Sequence, residues 1–518
     1  MTPTLLPLLK RATEDGVTFV LTPAGRETAS PMSDRRPLAP LPRVPLRVPG
    51  PGEQYRFHFD MSKCIGCKCC VVACNEQNAN PASINWRRVG EVEGGFFPQT
   101  LRSYLSMGCN HCVEPTCMSG CPVDAYTKDA ATGIVLHSAD TCIGCQYCTW
   151  NCSYGVPQYN PERGVVGKCD LCHSRLGLGQ SPACVSACPT GAIQVEIVKI
   201  DDWRAAVAAA APGLPAADQS LSTTRITLPR NLPPNARPVD IVRLAPAEPH
   251  WPLVVMTVLT QLSVGAFATI WLLQLVGGSE RLGAASLTSL LVGGLALAAS
   301  TLHLGRPAYA YRALKMWKRS WLSREVLLFA AFSAVACAYA ASLWMPLSGG
   351  LAVGAVTVLL GIGGVVSSAY IYRVPSRPAW DTPFTLVQFM LTAATLGPLF
   401  AAAVGTGDSR WLALATATMA GTLIVVLALR FLQLSASDNV ELKGTGRLLA
   451  TTLSRHLLAR GVLLAFGAIA VPLFTVNPMA LWVAFLLALG GEILGRYLFF
   501  VSVVPKHMSA PYLGSEAA

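Results

Sequence analysis

From residue 252 onward, apolar positions run in eight long stretches: 252–276, 285–304, 322–344, 351–372, 384–404, 411–430, 457–474 and 478–501. Each approaches the ~20 residues that an α-helix needs to cross a bilayer. The pattern predicts an all-α polytopic bundle of about eight transmembrane helices over 251–505, with a short tail at 506–518. Pro252, Pro472 and Pro478 fall near predicted ends. Pro398 falls inside the fifth stretch, where a bilayer helix tolerates a kink if the freed carbonyl finds another partner. The first half of the chain has another rhythm. Tyr55–Asp60 alternates as a strand does, and short apolar runs at Ile134–Leu136 and up to Ile197 follow cysteine-rich turns. This predicts an α+β domain of repeated ferredoxin-like half-units over 55–200. Residues 1–54 have little periodicity, and seven prolines between Pro31 and Pro51 make them an extended arm. Residues 201–250, rich in Ala and Pro, read as a linker with one short helix near Trp203–Ala211.

Composition supports the division. Of 518 residues, 52% are hydrophobic and 13% charged, too apolar for an ordinary soluble enzyme. The net charge of +11 is unevenly placed: residues 1–249 hold 23 Lys and Arg against 21 Asp and Glu, and residues 250–518 hold 17 against 8. A basic excess concentrated in the membrane half argues against nucleic acid and for lipid head groups and orientation. Loops on the N-terminal side carry twelve Lys and Arg, counting Lys506 in the tail, and those on the other side carry Arg281 and Arg410. Both termini and the cysteine domain are therefore expected at the cytoplasmic face of a bacterial inner membrane. Met1–Leu21 has no long apolar core of a signal peptide, and no hydrophobic stretch follows Arg35-Arg36.

Sixteen of eighteen cysteines form four quartets: Cys64-x2-Cys67-x2-Cys70-x3-Cys74, Cys109-x2-Cys112-x4-Cys117-x3-Cys121, Cys142-x2-Cys145-x2-Cys148-x3-Cys152 and Cys169-x2-Cys172-x11-Cys184-x3-Cys188. A cubane iron–sulfur cluster needs four thiolates, and a close triplet with a fourth cysteine three residues on supplies them. Zinc is the alternative for Cys-x2-Cys pairs, but the triplets favour clusters. Disulfides are disfavoured because neighbours lie too close for routine pairing. Cys69 is a spare thiol beside a cluster, and Cys337 packs as a small apolar residue. Four [4Fe-4S] clusters in a row make an electron wire, joined covalently to a membrane domain. The quartets indicate electron transfer rather than catalysis. Lys63, Lys68 and Lys168 stand beside ligands and either tune potentials or are simply solvated.

Over about 55–200, Cys64-Ile-Gly-Cys-Lys-Cys-Cys, Gly108-Cys-Asn-His-Cys-Val-Glu-Pro-Thr-Cys, Cys142-Ile-Gly-Cys-Gln-Tyr-Cys and Lys168-Cys-Asp-Leu-Cys resemble the four-cluster subunits of the dimethyl sulfoxide reductase family of molybdenum enzymes. The resemblance implies that quartets one and four pair, as do two and three. One cluster would take Cys64, Cys67, Cys70 and Cys188, and the next Cys169, Cys172, Cys184 and Cys74. A third would take Cys109, Cys112, Cys117 and Cys152, and the last Cys142, Cys145, Cys148 and Cys121.

Ionisable residues inside or beside spans are costly and stand out as functional. They occur in Thr301-Leu-His303-Leu-Gly-Arg306-Pro, Ser320-Trp-Leu-Ser-Arg324-Glu325, Tyr370-Ile-Tyr-Arg373-Val-Pro-Ser-Arg377-Pro-Ala-Trp380 and Gly490-Gly-Glu492-Ile-Leu-Gly-Arg496. By the predicted topology His303, Glu325, Arg373 and Arg496 lie near the leaflet that carries the cysteine domain, with Glu492 one turn deeper. A histidine and a carboxylate there can exchange the protons that accompany a quinone's electrons. These stretches resemble the eight-helix anchor of dimethyl sulfoxide reductase, and the resemblance puts His303 and Glu325 at its quinol site. The bland readings are an interfacial cap for His303 and a structural ion pair for Glu492 and Arg496, four apart on one helix face. Arg306, Arg312 and the nearby lysines read as lipid and topology contacts. No haem is expected.

The sequence thus points to a fused electron-transfer and membrane-anchor subunit, linking the quinone pool to a separate molybdopterin catalytic subunit. Cys142 to Lys168 looks like the iron–sulfur subunits of cytoplasmic sulfite-oxidising complexes, so sulfite oxidation with quinone reduction is the favoured reading. Quinol-driven S-oxide reduction is the alternative. An iron–sulfur membrane redox sensor with no catalytic partner is a reading of another class.

Overall fold

The computed structural model describes residues 45, 47–205, 220–239, 244–278, 281–345 and 349–505. Most of the Pro-rich arm, the far half of the short helix expected near Trp203–Ala211 and the tail lie outside the described residues.

The cysteine domain is held by small sheets rather than one large one. Strand β1 (Glu53–Asp60) pairs antiparallel with the last strand of the domain, β8 (Ile193–Lys199), Phe57 opposite Val195. Phe57, Phe59, Ile193 and Val195 alternate inward and are buried in one core with Leu105, Met107 and Leu171. Between β1 and β8 lie a long hairpin, β2 (Arg88–Phe96) with β3 (Gln99–Met107), and two short ones, β4 (Tyr126–Lys128) with β5 (Val135–His137) and β6 (Gln158–Asn160) with β7 (Val165–Gly167). The hairpin β2–β3 was not expected from the sequence.

Residues 201–250 do more than link. Their described part adds β9 (Arg225–Thr227), parallel to β1, and β10 (Arg237–Pro238), antiparallel to β2. Thr223 and Thr224 also bond to Asn110, beside the second quartet.

Among the described residues, eight helices follow that are long and apolar enough to cross a membrane: α1 (Trp251–Leu275), α2 (Leu282–Thr301), α3 (Trp321–Trp344), α4 (Gly350–Ile371), α5 (Pro383–Val404), α6 (Ser409–Ala436), α7 (Ser454–Phe474) and α8 (Pro478–Val501). The chain is a multi-pass membrane protein. Helix α1 is the most enclosed of the eight. It meets α5 so closely that a Cβ on Gly265 would stand 2.0 Å from the Ala393 carbonyl oxygen, the small-residue contact by which membrane helices approach. Pro398 sits inside α5, and α7 contains a π-helical turn, Ala465–Ala470, just before Pro472. The short helix Val440–Ala450, between α6 and α7, is polar on one face.

Candidate functional site

The chain reversals between cysteines take left-handed backbone at Gly66, Lys68, His111, Gly144, Gln146, Leu171 and Cys172. Such turns aim successive amides inward, and the amides of Gly144 and Leu171 donate to Cys142 Sγ and Cys169 Sγ at 3.4 Å. All eighteen cysteines are free. Sixteen of them form four separate groups. Cys64 neighbours Cys67, Cys70 and Cys188, and Cys74 neighbours Cys169, Cys172 and Cys184. Cys117 neighbours Cys109, Cys112 and Cys152, and Cys148 neighbours Cys121, Cys142 and Cys145. The fourth cysteine of every quartet therefore crosses to its partner quartet. Cys69 and Cys337 stay outside the groups, both exposed.

The thiols fit iron–sulfur chemistry. Burial pushes Cys112, Cys145 and Cys172 up to about 12, so as bare thiolates they would be costly. Cluster iron supplies the positive charge that makes a buried thiolate acceptable. Among the described residues, no three His, Cys, Asp or Glu side chains gather as one metal ion would require.

Buried side chains join the groups into a row. Arg87 is enclosed beside Cys70, Cys74, Cys169 and Cys184, and so spans the first and second groups. Lys168 spans the second and third. Its Nζ lies 3.8 Å from Cys109 Sγ and donates to the carbonyls of Cys169, at 2.8 Å, and Val135. Burial alone would lower Lys168, but the sulfurs of Cys109, Cys117 and Cys169 outweigh it and hold the amine above its ordinary value. Tyr126 is buried between Cys117 and Cys148, spanning the third and fourth groups. Lys63 instead pairs with Asp60 at the surface, and Lys68 is exposed. Arg87 and Tyr126 carried no sequence signal, since neither flanks a cysteine.

The fourth group is clamped to the bundle. The Arg306 amide donates to the Ile143 carbonyl at 3.1 Å, and its guanidinium to the Ala139 carbonyl at 2.8 Å. Arg312 reaches the Asp140 carbonyl, Ser320 the Gly120 carbonyl, and Arg319 and Lys315 the Asp124 carboxylate. Arg306, Arg312 and Lys315, read from the sequence as lipid and topology contacts, thus also bind the cysteine domain, together with Arg319. Their partners, two backbone carbonyls and a carboxylate, come from residues far earlier in the chain. The Ser376 hydroxyl bonds to the Trp150 carbonyl, and the Trp150 ring packs on His250, Tyr372, Trp380 and Phe500.

Beneath this contact lies a cavity of roughly 260 Å³, with Cys145, Trp150, His303, Glu325 and Tyr372 in its wall and Phe329, Met256 and Leu297 below. His303 is held at the end of α2, its Nδ1 2.6 Å from the Ser300 carbonyl. Burial lowers its imidazole below the ordinary value, against the opposing pull of the Ser300 and Cys145 carbonyls. Glu325 enters from the start of the second turn of α3, 6% exposed, facing Ser368 of α4. Tyr147 and Tyr372 also stand near its carboxyl.

The structure does not bring the other candidates there. Arg373 pairs with Asp381 at 3.5 Å. Glu492 and Arg496 are buried deeper in the bundle, and they do not form the ion pair that their spacing suggested. Glu492 accepts from Thr392 at 2.9 Å and pairs with Arg460 of α7 at 3.7 Å. Arg496 donates to Gln261 of α1 and lies 3.6 Å over the Phe389 ring. Crossing helices bring Arg460 and Gln261 nearer than one turn of α8 does, and no local spacing reveals that.

Comparison with known proteins agrees with this division. Residues 101–198 match the family described as 4Fe-4S dicluster domain, and residues 246–501 that described as DMSO reductase anchor subunit (DmsC). The B subunit of anaerobic dimethyl sulfoxide reductase from Haemophilus influenzae is 40% identical over 161 residues, 29% of this chain and 77% of the relative. The B subunit from Escherichia coli K12 is 39% identical over 159 residues, 29% of this chain and 76% of the relative. The chain belongs to the family of dimethyl sulfoxide reductase B subunits. It carries that family's iron–sulfur domain and the DmsC anchor in one polypeptide. The formate dehydrogenase iron–sulfur subunit of Haemophilus influenzae is 39% identical over 168 residues, 28% of this chain and 54% of that relative. The chain is an iron–sulfur electron-transfer subunit fused to its membrane anchor.

Proposed function

We propose that the chain carries electrons between a quinone in the 260 Å³ cavity and a molybdopterin catalytic subunit docked at the far end of the cysteine row. The observation that carries this reading is the shared wall: Cys145 of the last group lines the same cavity as His303 and Glu325. Four [4Fe-4S] clusters on the sixteen cysteines supply one-electron transfer when bound. The chain's own residues do the rest. Arg87, Lys168 and Tyr126 fill the space between successive groups. His303 and Glu325 hold and move the protons that a quinone gives up or takes on. The apolar wall of Phe329, Met256 and Leu297 takes the ring and excludes water.

The charge bias of the loops supports a cytoplasmic placement of the cysteine domain, in the inner membrane. A carboxy-terminal green fluorescent protein fusion is expected to glow and an alkaline phosphatase fusion to be silent; the reverse pattern sinks this orientation. With the clusters and the quinone on one side, turnover in proteoliposomes is expected to generate no membrane potential, and a measured potential counts against it.

A cytoplasmic domain favours sulfite oxidation with quinone reduction as the partner's reaction. Kinship with the dimethyl sulfoxide reductase B subunits favours the opposite flow, from quinol to an S-oxide. Membranes should show sulfite-dependent quinone reduction that a deletion strain lacks. If deletion abolishes dimethyl sulfoxide respiration and spares sulfite oxidation, the second reading stands. A purified complex should contain molybdenum and a second large chain; iron–sulfur protein without either would favour a sensor.

A further inference from the structure

A second cavity, of roughly 100 Å³, lies on the other flank of the bundle among α5, α6, α7, α8 and the helix Val440–Ala450. It has no cysteine in its wall and is separate from the site described above. Arg460 and Arg430 line it, with Thr382, Gln388 and Thr445, and among the described residues no carboxylate does. Arg460 is 4% exposed, and among the described residues its Nε and Nη2 have no hydrogen-bond acceptor; Glu492 stands 3.7 Å from Nη2. The buried Thr382 hydroxyl also lacks a partner. Arg430 spends two nitrogens on Gln433 and the Ala379 carbonyl. The chain makes room for the Arg460 head: a Cβ on Gly495 would stand 2.3 Å from its Cζ.

Glu492 offsets the Arg460 charge but stands beyond hydrogen-bond reach, and guanidinium donors left unused inside a bundle are expensive unless an anionic oxygen reaches them. The cavity's place says which anion. The Val504 amide, just past α8, bonds to Thr445, and Trp380 bonds to the Phe499 carbonyl, so the cavity lies at the bundle end where the cysteine domain docks. That is head-group level. The wall below is apolar, formed by Leu427, Phe431, Leu457 and Leu498, as an acyl chain requires. We propose that this cavity binds the phosphodiester of an anionic phospholipid, with Arg460 and Arg430 on the phosphate and the hydroxyl of Thr382 beside it.

The test uses the full-length chain in its detergent-solubilised complex, stripped of lipid and titrated with phosphatidylglycerol, bound lipid being counted by native mass spectrometry. Wild type is expected to retain one lipid that Arg460→Gln and Arg430→Gln each bind about tenfold more weakly. Gly495→Ala, which crowds Arg460 without removing charge, should weaken it in the same direction. Visible absorption of the clusters checks folding, and if Arg460→Gln does not assemble, the other two variants decide. Equal retention by the variants overturns the proposal. Displacement by millimolar inorganic phosphate makes this a free-anion site and overturns the lipid assignment, as does displacement by a short-chain quinone. Loss of lipid with quinone turnover intact supports it and leaves the first cavity's reading untouched.

Discussion

Two stretches of the chain read almost alike, Cys64-Ile65-Gly66-Cys67 and Cys142-Ile143-Gly144-Cys145, and the fold gives them opposite surroundings. Ile65 is 60% exposed and Cys67 lies at the surface, at one end of the row. Ile143 is 1% exposed, and its carbonyl accepts the Arg306 amide of the membrane half. Gly66 backs onto the Tyr104 ring of its own domain. Gly144, at φ +70°, backs onto Gly305 and the Gly164 carbonyl, where no Cβ fits. The spacing gives both stretches the same chemistry. What covers the isoleucine leaves one end open at the surface and makes the other a joint to the membrane helices.

Breaking either end should separate their roles. Cys145→Ser is expected to lower quinone-coupled turnover about a hundredfold or more, by removing the site beside the cavity. Cys67→Ser should block exchange with the catalytic partner while quinol still reduces the remaining clusters, as electron paramagnetic resonance would show. If both variants fail in the same step, the two ends are not distinct. Next in size, Glu325→Gln should cut turnover with quinone ~100-fold with cluster spectra unchanged, the usual scale of a lost proton-transfer group. Wild-type rates in that variant would remove Glu325 from the site.

Packing can be tested next. Gly305→Val should destabilise docking by about 2–3 kcal/mol, because any Cβ meets the Gly164 carbonyl at 2.1 Å. Ile65→Ala at the open end should stay within about 0.5 kcal/mol. Thermal unfolding of the two purified variants gives the comparison directly. Lys168→Met should make the adjacent clusters harder to reduce, lowering their midpoint potentials by tens of millivolts, where about 59 mV is tenfold for one electron. Unchanged potentials would make Lys168 a structural cation only.

A last test concerns pH at the membrane joint. Burial lowers His250 from 6.5 to about 4, edge-on against Trp150. An unfolded histidine charges first as pH falls, so stability is full above about 6.5 and is lost toward about 4, by up to ~3 kcal/mol. A His250→Phe variant should flatten that slope.

Much of this was legible along the chain. Eight apolar stretches and four cysteine quartets fix the two halves because both signals are local: a span needs only length and hydropathy, and a cluster loop needs only close thiols. His303 and Glu325 stood out because charge is rare beside a span. The rest depends on long-range packing. Arg87 and Tyr126 sit between cysteine groups far apart in sequence, and Arg460 reaches Glu492 from another helix. The strands of 225–238 join sheets begun more than a hundred residues earlier, so composition alone made that segment a linker. By itself, then, the sequence determined that electrons move and that the chain crosses a membrane. Only the tertiary structure decided which cysteines meet the bundle, because that depends on Gly305 and Arg306 closing over one Cys-Ile-Gly-Cys turn and leaving its near-copy in solvent.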